Sequence, residues 1–188
     1  MRTRPSRRIL WSIFLMGTFL SPTPLRAEAA PDALAPLIDA IAQRLAIADQ
    51  VALSKWDSHV PVEDPKREQA VLAAVSHQAP RFWLEPDRAQ RFFSAQIEAN
   101  KLVQYGRLWQ WVQAGKAPSG PRPDLKEIRS QLDQLQGVLL ERIAGFDPYR
   151  TDAQCDRWVT STIAHAAVDD LHRWALVRAT GGLCASPK

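Results

Sequence analysis

Apolar residues recur every three or four positions along most of the chain after residue 32, and proline or glycine marks each interruption. This spacing places the apolar residues on one face of an α-helix. The first such stripe comprises Leu34, Leu37, Ile38, Ile41 and Leu45. Alternating runs of β-branched residues, which would predict strands, are lacking. The pattern therefore predicts an all-α fold, a bundle of long helices packed on one another.

Five helices are predicted from the interruptions, over about 32–59, 65–78, 86–114, 125–144 and 152–180. Asp64 followed by Pro65 is typical of a helix start, with a capping side chain and then proline at the first helical position. Asp124 is a second predicted cap. The segment 115–123, with three Pro and two Gly, is predicted to be a loop.

The first 30 residues have the features of an export signal. Residues 1–27 contain five Arg and no acidic residue, and an apolar run over 9–20 precedes the small-residue segment 27–30. This order predicts a signal peptide over residues 1–29, cleaved after Ala27 or Ala29, followed by one helical domain over 30–188. The apolar run is shorter than the roughly 20 residues that span a bilayer, although an uncleaved anchor is the alternative.

The basic isoelectric point, about 9.4, belongs to this signal. Cleavage after Ala27 changes the formal net charge from +4 to −1, and cleavage after Ala29 also removes Glu28 and leaves 0. A near-neutral mature chain offers no basic patch for nucleic acid, so no nucleic-acid partner is predicted. The predicted location is the periplasm or the exterior, with no membrane attachment after cleavage.

Cys155 and Cys184 are the two cysteines of the chain. In an oxidising compartment such a pair predicts one intrachain disulfide, and two free buried thiols are the alternative. No C-x-x-C motif is present, and the four histidines lack the spacing of a usual metal site. Neither a redox role nor a metal is therefore predicted.

Arg44 and Lys55 lie eleven positions apart. At 100° per residue this is three turns plus about 20°, so both project from one face of the first helix. The axial gap is about 16 Å, and the small residues Ala48 and Ala52 lie between the two cations. Such a hollow would hold a small dianion. The alternative is that both cations coat a solvated face.

The other predicted helices carry polar groups that a plain bundle does not need. Arg67 lies in a first helical turn, where the helix dipole disfavours a cation, close to the Asp64 cap. Asn100 and Gln104 share the apolar stripe of the third helix, and Arg129 flanks that of the fourth. A routine cap, core amides and exposed charges are the alternatives for each alone. Together they predict a pocket that binds a small dicarboxylate and donates hydrogen bonds to developing negative charge.

The ordered motifs resemble a known family. They are Arg44-x10-Lys55-Trp56, Val62-Glu63-Asp64-x2-Arg67-Glu68, Asn100-x3-Gln104 and Pro123-Asp124-Leu125-x3-Arg129, with two late Cys. This set resembles the secreted, gamma-subclass chorismate mutases of the all-helical AroQ type, from about residue 34 to 184. The resemblance implies a Claisen rearrangement of the substrate chorismate to prephenate, with no cofactor.

The resemblance also implies residue roles. Arg44 and Arg129 would hold the two substrate carboxylates, and the site would be complete within one chain. Lys55 and Gln104 would donate hydrogen bonds to the ether oxygen, which gains negative charge as the carbon–oxygen bond breaks.

Four further roles follow from the same resemblance. Arg67 and Glu68 would face the ring hydroxyl, and Asp64 would steady the basic cluster. Asn100 stands where the family has a small hydroxyl residue that touches a carboxylate, so it is assigned to substrate binding although it departs from the family pattern. The resemblance is compatible with a homodimer.

Three other functions remain open at this point. A purely structural helical protein would leave the cationic cluster facing solvent. An isochorismate-pyruvate lyase-like enzyme would use similar donors on a related substrate. A non-catalytic periplasmic helical binding protein would tolerate changes at Lys55 and Gln104.

Overall fold

The computed structural model describes residues 29–185, which form six α-helices, two 3₁₀-helices and no strand. The α-helices are α1 (Leu34–Ser58), α2 (Pro65–Gln78), α3 (Pro86–Ala114), α4 (Leu125–Phe146), α5 (Cys155–His165) and α6 (Asp170–Thr180). The 3₁₀-helices are Ala79–Phe82 and Asp147–Tyr149. This confirms the all-α prediction. The signal-peptide prediction lies outside the described residues, apart from its last position.

Capping side chains begin the helices where the sequence predicts them. Asp64 Oδ1 accepts a hydrogen bond from the Arg67 backbone N–H at 3.1 Å, and Pro65 is the first residue of α2. Asp124 Oδ1 accepts from the Lys126 N–H at 2.8 Å at the start of α4. Gly115 follows the last residue of α3 and caps the helix, with a φ of 69° that favours glycine.

The prediction of a single long helix over 152–180 is wrong, because the chain forms α5 and α6 with a break between them. Asp169 starts a new helix, since its Oδ1 accepts from the His172 N–H at 2.8 Å. Arg173 then donates to the Ile163 carbonyl at 2.7 Å and the Val168 carbonyl at 3.1 Å, around the end of α5. These bonds satisfy carbonyl groups that a helix end leaves free, which makes the break stable.

The core forms around α1, which packs against α3 and α4 and also contacts α5 and α6. Large side chains that are fully buried include Phe93, Phe146, Leu37, Ile41, Leu45 and Leu139. α3 also packs closely on α6: a Cβ atom at Gly106 would lie 2.5 Å from Leu171 Cδ1. α1 packs on α3 and α4, and α2 packs on α3. The face of α1 that carries Arg44 and Lys55 borders the space between these helices.

The C-terminal segment is held to the bundle by a covalent and a polar contact. Cys155 and Cys184 form a disulfide, with their Cα atoms 5.8 Å apart, which confirms the sequence prediction. Buried Arg88 of α3 donates to the Leu183 carbonyl at 2.9 Å and to Asp147 Oδ1 at 3.0 Å. The segment after α6 is therefore fixed against both α3 and α5.

No helix within residues 29–185 has an apolar stretch long enough to cross a membrane.

Candidate active site

A cavity of about 340 Å³ lies between α1, α2, α3 and α4. Its lining includes all eight polar site residues that the sequence indicates: Arg44, Lys55, Asp64, Arg67, Glu68, Asn100, Gln104 and Arg129. They come from four helices and the segment between α1 and α2, and they are separated by up to 85 positions in the chain. The folded chain therefore brings the predicted set together.

The α1 side of the cavity differs in one detail from the sequence prediction. Ala48 and Ala52 are fully buried in the core and do not line the cavity, whereas Val51 and Ser54 do. The reason is helical geometry. Val51 is seven positions after Arg44, which is within about 20° of two full turns, so the two side chains point the same way. Ala52 is one position further and is rotated from Arg44 by about 80° around the helix axis. The alanines pack against neighbouring helices instead of forming the floor of the hollow.

Arg44 is a buried cation, with 7% of its surface exposed. The pKa of its guanidinium is lowered to about 10, mainly by burial and also by repulsion from Arg67, while Asp133 opposes the shift. The Arg44 Nε–H has no hydrogen-bond partner among the described residues. Since a buried charged group is costly unless it is paired, this position favours an anion in the cavity.

Lys55 is half-buried, and its ammonium group donates to the Val62 carbonyl at 2.7 Å. Burial lowers the pKa of Lys55, and the nearby carboxylates of Asp64, Glu63 and Glu68 oppose the shift. An ammonium group carries three hydrogens. One is used on Val62, so two remain for other acceptors in the cavity.

Arg67 and Glu68 lie in the first turn of α2. Glu68 Oε1 accepts from the Asp64 backbone N–H at 3.4 Å, which complements the Asp64 cap. The Arg67 guanidinium is 3.4 Å from Asp133 Oδ1 of α4, and the two side chains are 49% and 68% exposed. A solvated pair of this kind contributes little to stability. Arg67 can therefore exchange Asp133 for a bound anion at small cost.

Asp133 was missed by sequence reasoning, although a signal for it exists. It lies four positions after Arg129 in α4, the spacing that places two side chains on one helix face. Both residues line the cavity. Asp133 thus adds a negative charge to the cation cluster.

Asn100 and Gln104 contact each other across one turn of α3. Gln104 Nε2 donates to Asn100 Oδ1 at 2.7 Å, and Gln104 is 4% exposed. Gln104 Oε1 is fully buried and has no hydrogen-bond partner among the described residues. The alternative of two core amides bound by neighbouring backbone is wrong, because they pair with each other at the cavity wall.

Lys101 is a further lining residue that the sequence did not reveal. Its ammonium group lies 2.7 Å from Glu98, 3.0 Å from Glu63 and 3.5 Å from Glu68. The pKa of Lys101 is raised, and the main cause is its hydrogen bond to Glu98. Tyr105 also donates to Glu63 Oε1 at 3.0 Å. These contacts fasten the segment between α1 and α2 onto α3.

Arg129 lies at the exposed rim of the cavity, on the α4 side. In the described part of the chain, no hydrogen bond or ion pair of its side chain is formed. Apolar side chains fill the wall between the polar groups, among them Val62, Val71, Ile97, Ile128 and Leu132. The cavity therefore combines five cations with apolar walls, which suits a small dianion that carries an apolar ring.

Within residues 29–185 no group of three or more His, Cys, Asp or Glu side chains is placed to hold a metal ion.

Comparisons with known proteins agree with this architecture. The sequence profile of the family described as chorismate mutase type II matches residues 35–105. The secreted chorismate mutase of Mycolicibacterium smegmatis is 37% identical over 155 residues, which cover 80% of this chain and 86% of that protein. The secreted chorismate mutase of Mycobacterium tuberculosis is 33% identical, over 98% of this chain and 97% of that protein.

A solved structure shares the fold. The crystal structure of chorismate mutase from Burkholderia phymatum superposes with a TM-score of 0.79 at 42% identity, covering 82% of this chain and 98% of that one.

Proposed function

The chain belongs to the chorismate mutase type II family and is a chorismate mutase, an isomerase; we propose that the cavity between α1, α2, α3 and α4 binds chorismate and rearranges it to prephenate. One observation carries the assignment of the site. The guanidinium, ammonium and carboxamide groups of Arg44, Lys55 and Gln104, from α1 and α3, face a single cavity with Arg129 of α4 at its rim.

Binding would begin with the two carboxylates of chorismate. Arg44 offers a buried guanidinium whose Nε–H has no partner among the described residues, and Arg129 offers an exposed one at the rim, on α4. A guanidinium binds a carboxylate with two parallel hydrogen bonds, which fixes orientation as well as position. Two such clamps would hold the substrate in the compact, chair-like conformer in which the reacting carbons approach each other.

The chemical step needs no proton transfer. The ether carbon–oxygen bond breaks while a new carbon–carbon bond forms at the ring, and electron pairs move within the one molecule. The ether oxygen gains negative charge on the way. Lys55, with two free N–H bonds, and Gln104 would donate hydrogen bonds to that oxygen. A preorganised donor of this kind is worth about 2.7–4 kcal/mol in the transition state.

The remaining residues would complete the site. Arg67 and Glu68 would face the ring hydroxyl, and Asp64 would steady the cluster through its contact with the start of α2. Asn100 would contact the substrate from the α3 wall. All eight residues belong to one chain, so the site is complete in a monomer, and a homodimer is compatible with it.

The test uses purified protein comprising residues 30–188, without added metal or cofactor. Chorismate is supplied, and its loss is compared with the formation of prephenate. Isochorismate is supplied in a parallel reaction. We expect prephenate in equal amount to the chorismate lost. Release of pyruvate from isochorismate with no prephenate would instead identify a lyase, and binding without turnover would identify a non-catalytic binding protein.

We also propose that the protein is exported and functions in the periplasm or outside the cell. The composition of residues 1–29 and the disulfide of Cys155 and Cys184 support this location. Relatives described as secreted chorismate mutases support it as well. Mass spectrometry of the protein recovered from a bacterial periplasm should give a chain that begins at Glu28 or Ala30. An intact chain that begins at Met1 would contradict the proposal.

A further inference from the structure

The contact between Gln104 and Asn100 is a short hydrogen bond inside the proposed active site. Gln104 Nε2 donates to Asn100 Oδ1 at 2.7 Å, and the two residues are one helical turn apart in α3. Both line the cavity. A carboxamide side chain can turn either its oxygen or its NH₂ group toward a ligand. Gln104 can donate a hydrogen bond to the substrate only if its NH₂ group is the end that faces the cavity.

The surroundings of Gln104 determine that direction. Its Oε1 is fully buried, with no solvent-accessible surface facing the cavity. The NH₂ group is therefore the end that can face the substrate. Of its two hydrogens, one is bound by Asn100 Oδ1, and the other remains available. Since a carbonyl oxygen only accepts hydrogen bonds, Asn100 Oδ1 pairs with the NH₂ end of Gln104 and not with its oxygen.

We infer that Asn100 is a positioning residue for Gln104: its Oδ1 binds one hydrogen of the Gln104 amide and directs the second N–H at the ether oxygen of the substrate. This rests on the proposed function. It gives Asn100 a part in catalysis that acts through Gln104, in addition to any direct contact with the substrate.

A double-mutant cycle tests the inference. Asn100→Ala should lower kcat by about three- to tenfold, the size expected for one lost hydrogen bond, whether or not KM also rises because a contact with the substrate is lost. In a Gln104→Ala background the same substitution should leave kcat unchanged, because the group that it positions is gone. An equal fold-loss of kcat in both backgrounds would overturn the inference, as would a rise in KM with unchanged kcat.

A conservative variant supplies a second readout. Asn100→Asp keeps an oxygen that accepts from Gln104 but adds negative charge to a cavity for a dianion. We expect kcat to stay within about threefold of the wild type while KM rises. A larger loss of kcat in this variant would contradict the inference, and the result decides the question even if Asn100→Ala fails to fold.

The two levels of failure are distinguishable. If the proposed function were wrong, neither the wild-type chain nor Gln104→Ala would form prephenate. If only the positioning role were wrong, the wild type would be active and Gln104→Ala impaired, and the effects of Asn100→Ala would be additive.

Discussion

The Lys55 ammonium group lies 2.7 Å from the Val62 carbonyl, so the last turn of α1 is bonded to the segment that leads into α2. The next residue, Glu63, is held from the other side by Lys101 and Tyr105 of α3. Three parts of the chain thus fix the direction of one cation. A donor that is oriented before the substrate arrives needs no reorganisation during the reaction, which is why such donors lower the barrier effectively.

The pH dependence follows from which donors titrate. Gln104 does not titrate, and burial lowers the pKa of the Lys55 ammonium group from its ordinary 10.5. Donation by Lys55 is present below that lowered pKa and is lost as the pH rises through it. We expect kcat to be flat around neutral pH and to fall on the alkaline side, measured with chorismate at saturating concentration. An acidic or bell-shaped optimum near neutrality would contradict the assignment.

Gln104→Glu should convert this flat profile into an acid-shifted one. The introduced carboxyl group can donate only while it is protonated, so kcat should fall as the pH rises through its pKa. The matched control is Gln113→Glu, an exposed position on the same helix, which should keep the wild-type profile. Equal activity of Gln104→Glu and the wild type at neutral pH would count against a role for Gln104 as a donor.

Asp133 places a negative charge in a cavity that we expect to bind a dianion. Its Oδ1 lies 3.4 Å from the Arg67 guanidinium, and its charge partly offsets the lowering of the Arg44 pKa. Asp133→Asn removes the competing charge, so KM for chorismate should fall by about two- to fivefold at low salt, and the effect should shrink as salt screens it. Asp156→Asn, an exposed position on α5, is the control. A rise in KM would show that Asp133 orients Arg67 for binding instead of competing for it.

The disulfide is expected to contribute to stability. Cys155 and Cys184 are 29 positions apart, and closing such a loop in the unfolded chain is worth about 3–4 kcal/mol. Urea unfolding with and without reductant should show a decrease in the free energy of unfolding of that order. The Cys155→Ser/Cys184→Ser double variant should match the reduced protein and be insensitive to reductant. A decrease below about 1 kcal/mol would contradict the prediction.

Most helix boundaries could be predicted because they depend on neighbouring residues. Asp64 with Pro65, and Asp124, act within one turn of the helices that they start. The break between α5 and α6 is not evident from the apolar spacing, which is compatible with one helix over 152–180, although Asp169 is a capping residue type. The bonds from Arg173 to the end of α5 depend on the two helices folding back on each other, and a local pattern does not contain that information.

The site residues were predictable to the extent that periodicity and resemblance point to them. Arg44 and Lys55 share a helix face by spacing alone, and both line the cavity. The contact of Arg67 with Asp133 joins residues 66 positions apart on different helices. It depends on how α2 and α4 are placed by their packing on α3 and α1, so only the folded structure reveals it.

The most direct test of the account is the turnover number of Lys55→Ala with chorismate, compared with that of Lys116→Ala, an exposed lysine after α3 that does not line the cavity. The account predicts at least about a 100-fold loss of kcat for Lys55→Ala, because the variant lacks one of two donors to the developing charge, and wild-type kcat for Lys116→Ala. A loss of about tenfold or less in Lys55→Ala, with the fold intact, would contradict the claim that these helices bring their cations and amides together to stabilise the breaking ether bond.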